Sequence, residues 1–238
     1  MRSGTSDTSE PVNNLRANEA AATELLSRRN LIQLALIVVV GLGIGRLLQQ
    51  AQPIGQDVGE NERAAEILLD KISPSQEVGN ATLTLVVFTD YQCAACKLAH
   101  PEMEAALADD AHVRVIYRDL PIFGAMSEQA ARVAIAADWQ QIYPAVHRGL
   151  MENRLPLSEA VMHDIIESAG GDWAILEQDL KTHANAIDRQ IETNRRDAFM
   201  LGIAGTPAFL AGPILVRGAI DQTDFETLFA EARASNNR

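Results

Sequence analysis

The distribution of apolar residues predicts four β-strands. Thr82–Thr89 is rich in β-branched residues and becomes continuously apolar in its second half, which is typical of a strand buried on both faces. His112–Arg118 alternates between apolar and polar positions. Near the C-terminus, Pro207–Ala211 and Ile214–Arg217 are separated only by a Gly-Pro pair, and this spacing predicts an antiparallel hairpin.

Helical patterns occupy most of the remaining chain after the first strand. Ser127, Ser158 and Asp221 stand where helix N-caps are expected, because their side-chain oxygens can accept hydrogen bonds from the first free backbone N–H groups. The predicted helices are Arg63–Ile72, Ala94–Ala108 with Pro101 inside it, Ser127–Asp138, Ser158–Ala169, Asp172–Thr182, Ile187–Leu201 and Asp221–Ala234.

The order of these elements predicts an α/β fold. A β-α-β unit with a right-handed crossover comes first, an almost entirely helical block over about residues 127–201 follows, and a β-β-α unit closes the chain. We therefore expect one folded domain over residues 81–238. Residues 49–80 are predicted to be a linker with a short helix, since their first part is rich in Gln, Gly and Pro.

The N-terminal part of the chain has a different character. Residues 1–30 show no strong apolar period and are predicted to be a cytoplasmic tail. The next 15 residues, Leu31–Gly45, carry no charge, and the apolar segment extends over residues 31–48 if Arg46 reaches the interface. A membrane-spanning helix needs about 20 residues, with a lower limit near 17, so a short span over residues 31–48 is feasible. A buried core helix is the alternative.

The charges around this segment predict that the rest of the chain is exported. Arg28 and Arg29 precede the apolar run and should stay in the cytoplasm. We favour an uncleaved single-pass anchor in a bacterial inner membrane, with the folded domain in the periplasm. A cleaved signal that releases a soluble periplasmic form is the alternative, and the Ser27–Leu31 segment also resembles a twin-arginine signal.

Composition narrows the classes of function. Apolar residues make up 47% of the 238 positions and charged residues 22%, so the chain can form a core. Acidic residues outnumber basic ones by 32 to 20, which gives a net charge of −12. An acidic chain without a basic stripe argues against nucleic-acid binding, because contacts with phosphates dominate that affinity.

The two cysteines of the chain carry the first chemical signal. Cys93 and Cys96 follow a predicted buried strand and begin a predicted helix. Free N–H groups at a helix N-terminus stabilise a thiolate, and a second cysteine one turn later can resolve a mixed disulfide. Redox catalysis is therefore favoured. A structural disulfide, an inert buried pair, and a metal site or chaperone that adds His100 are the alternatives.

The second signal is Gly205-Thr206-Pro207, directly before a predicted strand. Proline cannot donate to a strand ladder, so Pro207 should begin the strand or lie at its edge. The other histidines, His112, His147, His163 and His183, are scattered without the spacing of metal ligands, and we interpret them as structural.

These segments resemble a known family. The run from Phe88 to Lys97 (FTDYQCAACK) is similar to the active-site segment of DsbA-like thiol–disulfide oxidoreductases of the thioredoxin superfamily, and Gly205–Phe209 (GTPAF) is similar to their cis-proline loop. Tyr117–Ile122 and the alanine-rich helix after Ser127 are similar too. The resemblance covers about residues 83–232, and it implies a thioredoxin-like fold with a helical insertion.

The resemblance also implies roles for particular residues. Cys93 and Cys96 would be the catalytic pair, Pro207 would be cis and adjacent to them, and Thr206 would offer backbone groups to an extended substrate segment. No cofactor beyond the dithiol and no metal would be needed. The implied partners are cysteine-containing exported or unfolded proteins and a membrane protein that recycles the redox state.

The sequence departs from the pattern of many family members in two respects. Alanines separate the two cysteines, and Val87 stands where many members have a buried glutamate, so Cys96 must lose its proton to water or to another base. We expect an oxidase acting on exported proteins. A disulfide isomerase or a reductase of the same fold is the alternative.

Overall fold

A computed structural model describes residues 28–50, 53–76 and 78–236 of the chain. The chain divides after Pro53 into two units. The first contains helix α1 (Arg28–Gln50), and the side chains of its residues 30–42 are exposed. Within the part of the chain that the structure describes, no helix combines the length and apolar character needed to cross a membrane.

Two predictions for the N-terminal region are not tested here. A cytoplasmic tail was predicted for residues 1–30, and residues 1–27 of it lie outside the described residues. The segment 31–48 is helical, as part of α1, but the structure does not show it as a membrane anchor.

The described part of the second unit is built on a six-stranded sheet with eight α-helices and one 3-10 turn around it. The strands are β1 (Gln56–Asp57), β2 (Ser75–Gln76), β3 (Leu83–Thr89), β4 (Val113–Asp119), β5 (Ala208–Ala211) and β6 (Ile214–Arg217). The helices are α2 (Glu62–Leu68), α3 (Ala94–Asp109), α4 (Ala125–Ala137), a 3-10 turn (Asp138–Gln140), α5 (Tyr143–Glu152), α6 (Glu159–Ser168), α7 (Trp173–Thr182), α8 (Ala184–Met200) and α9 (Gln222–Asn236).

The order of the strands in the sheet is β1-β6-β5-β3-β4-β2. β3 and β4 are parallel and are joined by α3, whereas β5 pairs antiparallel with both β3 and β6. The predicted β-α-β unit, helical block and β-β-α unit are therefore present, and they form a thioredoxin-like α/β fold.

The sheet is covered on both faces, which explains the continuous apolar run in β3. Leu85 and Val87 point into a large core with α3, α4 and α5, while Val86 and Phe88 point into a smaller core with α2 and the end of α8. The same period of two applies along β4. It places Tyr117 and Asp119 on the face of the large core and Arg118 on the other.

Arg118 is a charged residue buried on the side of the smaller core, and its partners show how the fold accommodates it. Its guanidinium lies 2.7 Å from Asp70 and 3.2 Å from Asp197, and it donates to Asn194 at 3.0 Å. Because a buried cation must be paired and hydrogen-bonded, this network anchors α8 to the sheet.

Two local predictions were wrong, and two short strands were missed. Ser127 is not an N-cap: α4 begins after Gly124, whose φ of 98° suits glycine, and Ser127 is buried in the first turn. The helix predicted over Arg63–Ile72 ends at Leu68. β1 and β2 were not predicted, because two-residue edge strands are too short to show a period.

Candidate active site

The two cysteines lie at the N-terminus of α3, immediately after the loop that leaves β3. Cys93 is the N-cap, with extended backbone angles of φ −71° and ψ 115°. Its Sγ atom accepts a hydrogen bond from the backbone N–H of Cys96 at 3.2 Å. Both thiols are free and both side chains are buried. The Cys93 sulfur therefore occupies the position where free helix N–H groups stabilise a negative charge.

Asp90 fixes the loop that carries Cys93. Its Oδ1 accepts from the N–H of Gln92 at 2.7 Å, and its Oδ2 accepts from the N–H groups of Ile122 at 2.7 Å and Phe123 at 3.2 Å. The N–H of Cys93 in turn donates to the Asp90 carbonyl at 3.1 Å. Sequence reasoning missed this residue, although an aspartate two positions before Gln92 is typical of an Asx turn.

The loop before β5 meets the cysteines from the other side. β5 pairs antiparallel with β3, with Ala208 opposite Phe88, and this register carries residues 206–207 to the end of β3. The Cys93 thiol donates to the Thr206 carbonyl at 3.2 Å. The Thr206–Pro207 peptide bond is cis, and Pro207 is buried.

The structure thus brings together all four residues that the sequence singled out: Cys93, Cys96, Thr206 and Pro207. For the alternative of a metal site, the described residues show no comparable arrangement. Among the residues that the structure describes, no group of three or more His, Cys, Asp or Glu side chains is positioned to hold a metal ion, so His100 does not join the two cysteines in a ligand set.

A family model decides the assignment. The DSBA-like thioredoxin domain matches residues 84–230, which is more than half of the chain and includes every residue described above. The chain belongs to the DsbA-like family.

Solved structures agree with this assignment. A thioredoxin-like oxidoreductase from Silicibacter pomeroyi is 31% identical with a TM-score of 0.67, and the match covers 73% of this chain and 98% of that one. The thiol-disulfide exchange protein alpha-DsbA2 from Wolbachia pipientis is 27% identical with a TM-score of 0.66, covering 72% and 96%. A periplasmic thioredoxin-like protein from Salmonella enterica serovar Typhimurium is 31% identical with a TM-score of 0.61, covering 73% and 97%.

A curated protein also matches over part of its length. The Na(+)/H(+) antiporter NhaA 1 of Mycolicibacterium vanbaalenii is 25% identical over 147 residues, which are 60% of this chain. The chain spans only 24% of the length of that protein.

The two thiols of this DsbA-like domain differ in their environment. Burial raises the pKa of Cys96 to about 12, and its hydrogen bond with Cys93 acts in the same direction. The neighbouring Thr206, Asp90 and Thr89 oppose the shift only in part. At neutral pH Cys96 is therefore held as a thiol.

A small cavity lies beneath the cysteine pair. Its lining consists of Val87, Thr89, Cys96, His100, Met103, His147, Met151, Pro207 and Phe209. His100 is 5% exposed, and neither of its ring nitrogens has a hydrogen-bond partner among the described residues. Burial lowers the pKa of His100, so its imidazole is neutral at pH 7.

A row of buried polar side chains leads away from this cavity. His147 Nδ1 lies 3.0 Å from the Tyr91 hydroxyl, which lies 3.3 Å from the Tyr143 hydroxyl. Tyr143 donates to Asp119 Oδ2 at 2.9 Å. The interpretation of His147 as an isolated structural histidine was therefore incomplete, because it forms one end of a connected hydrogen-bonded chain.

Asp119 lies at the other end of this hydrogen-bonded chain, and its carboxyl group is titratable. Burial raises the pKa of Asp119 to about 7, although hydrogen bonds from Tyr91 and Tyr143 favour the ionised form, and the charge of Asp90 adds to the rise. The Oδ1 atom of Asp119 has no hydrogen-bond partner among the described residues. Burial of a carboxylate that is hydrogen-bonded on one oxygen only therefore accounts for the raised pKa.

This shift predicts a pH-dependent contribution to stability. The pKa of Asp119 rises from an ordinary value of 3.8 to about 7 on folding, so the folded state binds more protons between these values. The contribution of Asp119 to the free energy of unfolding is therefore highest at low pH and falls as the pH rises through about 7. Asp119→Asn lacks this term, and we expect its stability relative to wild type to increase from pH 5 to pH 8.

Urea denaturation at pH 5, 6, 7 and 8 measures the difference. Asp188→Asn is the control, since the Asp188 carboxylate is 58% exposed and pairs only with Arg132. Its stability should follow that of wild type across the series. A difference between Asp119→Asn and wild type that does not change with pH would contradict the shift.

Proposed function

We propose that this DsbA-like domain is a protein thiol–disulfide oxidoreductase whose redox centre is the Cys93–Cys96 pair. The observation that carries the proposal is the position of the Cys93 sulfur. It caps α3, where helix N–H groups favour a thiolate, and it lies 3.2 Å from the Thr206 carbonyl of the cis-proline loop. No cofactor is required, because the dithiol itself holds the two electrons.

The oxidase reaction begins from the disulfide form of this pair. In the disulfide form, a substrate thiolate attacks the Cys93 sulfur, the Cys93–Cys96 bond breaks, and Cys96 leaves and takes up a proton. A second substrate thiolate then attacks the substrate sulfur of the mixed disulfide and releases Cys93 as a thiolate. The substrate loses two electrons and the domain gains them.

The same steps run in reverse when the domain acts as a reductase, and they stop at the mixed disulfide and rearrange when it acts as an isomerase. We propose oxidation as the physiological direction, as expected for a dithiol in an oxidising compartment. The substrates would be cysteine-containing exported or unfolded proteins, and a membrane redox partner would restore the disulfide.

The surroundings of the cysteines support an unfolded or extended substrate. Thr206 is partly exposed next to Cys93 and can offer backbone groups to an extended segment. Ile122 and Phe123, which the Asp90 carboxylate holds beside the same loop, are 46% and 53% exposed. A cysteine flanked by apolar residues would contact these side chains, whereas such segments are buried in most folded proteins.

Trapping of mixed disulfides tests the division of labour between the cysteines. Cys96→Ala leaves Cys93 able to attack a disulfide but removes the thiol that resolves it, so mixed disulfides with cellular proteins should accumulate. Cys93→Ala is the matched control and should capture none. The measurement is non-reducing electrophoresis of cells quenched with acid and alkylated. Capture by Cys93→Ala but not by Cys96→Ala would reverse the roles.

Export to the periplasm is the second part of the proposal, with residues 31–48 as the export segment. Its support is the uncharged run Leu31–Gly45 behind Arg28 and Arg29, the exposure of side chains 30–42 in α1, and the similar periplasmic protein of Salmonella enterica. We propose that the segment stays attached as an anchor.

Fractionation of bacterial cells that produce the full chain tests this part. We expect the full-length protein in the membrane fraction after a carbonate wash, with Cys93 open to a membrane-impermeant thiol reagent in intact cells. A soluble periplasmic form that begins after Gly45 would contradict the anchor and support a cleaved signal. A full-length form in the cytosol would contradict export.

A further inference from the structure

The proposed reaction requires proton transfer at a buried sulfur, and the inference here rests on that proposed function. Cys96 is a thiol in the reduced domain and has no proton in the disulfide. Each turnover therefore moves one proton to or from a side chain that is only 3% exposed. Val87, the cavity residue of the adjacent strand, is apolar and cannot accept it.

The cavity provides the first part of a route. Cys96 and His147 both line it, and its volume of about 10 Å³ is about the space that the centre of one water molecule needs. A proton can therefore pass from the Cys96 sulfur towards the His147 ring across a single water.

The hydrogen-bonded chain provides the rest. Three contacts of 3.0, 3.3 and 2.9 Å connect His147 through Tyr91 and Tyr143 to Asp119. All four side chains are at most 2% exposed. Bulk water therefore does not compete for these groups, and each successive pair of atoms lies within 3.3 Å.

Asp119 sets the direction of the chain. An ionised carboxylate is an acceptor only, so the Tyr143 hydroxyl must donate to it. The single hydroxyl proton of Tyr91 is donated to Tyr143 or directly to Asp119, and in both arrangements Tyr91 accepts from His147 Nδ1. His147 is thus held as the tautomer whose Nε2 carries the lone pair, and this nitrogen is free to accept a proton.

We propose that His147, Tyr91, Tyr143 and Asp119 form a proton relay that serves Cys96. When Cys96 attacks the mixed disulfide on Cys93, the Cys93–Cys96 bond forms, the bond to the partner sulfur breaks, and the partner leaves as a thiolate with the electron pair. The Cys96 proton passes across one water in the cavity to His147 Nε2, each donor of the chain passes its own proton onward, and Asp119 becomes protonated. The reverse sequence supplies the proton when Cys96 leaves.

The charges around the chain suit this role. The groups that act on Asp119 are Asp90, Tyr91 and Tyr143, and together with burial they raise the pKa of Asp119 to about 7. An acceptor of this kind can both take and return a proton near neutral pH.

His147 passes the proton on rather than storing it. Burial lowers the pKa of His147, and the neighbouring His100 and Arg148 lower it further. His100 itself is influenced by Glu104, Glu152 and Arg148.

The test uses glutathione to oxidise the reduced domain, and it measures the two steps of that oxidation separately. The reduced full chain is mixed with oxidised glutathione, acid-quenched over time and analysed by mass spectrometry. Attack by Cys93 forms the mixed disulfide with glutathione, and attack by Cys96 then resolves it. For wild type, the resolution rate should rise up to about pH 7 and then level off, because Asp119 becomes ionised there.

Two variants interrupt the relay with little change in shape. Asp119→Asn and Tyr91→Phe should each slow resolution at pH 7 by about tenfold or more. Their rates should keep rising about tenfold per pH unit above pH 7, because hydroxide from solution must then remove the proton. The rate at which Cys93 forms the mixed disulfide should stay within about twofold of wild type.

Tyr117→Phe is the matched control. Its ring lies 4.5 Å from that of His147 in the same buried cluster, but its hydroxyl contacts Gln76 at 3.3 Å instead of the relay. It should keep the wild-type rate and the levelling near pH 7, which separates loss of the relay from general disturbance of the cluster.

Other outcomes would overturn the relay. If Tyr91→Phe and Asp119→Asn keep the wild-type pH profile, or if Tyr117→Phe changes it equally, the chain carries no proton for Cys96. If only His100→Asn slows resolution, His100 is the acceptor instead. Failure of the proposed function looks different, because wild type itself would then form no Cys93–Cys96 disulfide with glutathione.

Discussion

The antiparallel pairing of β5 with β3 is the constraint on which the site depends. Cys93 and Thr206 are separated by 113 positions in sequence, and their contact exists because Ala208 lies opposite Phe88 in the sheet. Since side chains alternate along a strand, a shift of one residue in this register would reverse the faces of β5 and move the proline loop away from α3. β3 is buried on both faces, and its apolar side chains specify the register strongly.

The same alternation connects the site to the interior of the domain. Along β4, Tyr117 and Asp119 share the face that packs against α5, and α5 contributes Tyr143 and His147 to that face. Arg118 is directed to the opposite face, where carboxylates neutralise it. A strand with a charged residue on each side can be buried in this way only because each charge meets its own partners. As a result, the lining of the cavity includes both Cys96, in the first turn of α3, and His147, the first residue of the polar chain that ends at Asp119.

The parts of the fold that the sequence predicted are those with a local signal. β3, β4 and the hairpin follow from apolar patterns, and the Cys93–Cys96 spacing with the Thr206-Pro207 dipeptide indicates where the site is. Parts that depend on contacts distant in sequence had no such signal. α4 begins at Ala125, directly after Gly124, rather than at Ser127, because the preceding loop is tied to Asp90. Likewise, nothing near His147 in the sequence indicates that Tyr91 lies 3.0 Å from its ring.

The central claim is that Cys93 and Cys96 act as one two-electron redox pair, and its most direct test is their equilibrium with glutathione. The purified chain is equilibrated in buffers of varied ratio of reduced to oxidised glutathione, alkylated, and weighed by mass spectrometry. We expect a single transition between the dithiol and the intramolecular disulfide, with a potential between about −270 mV, the value of thioredoxin, and about −120 mV, the value of a strong periplasmic oxidase. Independent glutathionylation of the two cysteines, without an intramolecular disulfide at any ratio, would contradict it.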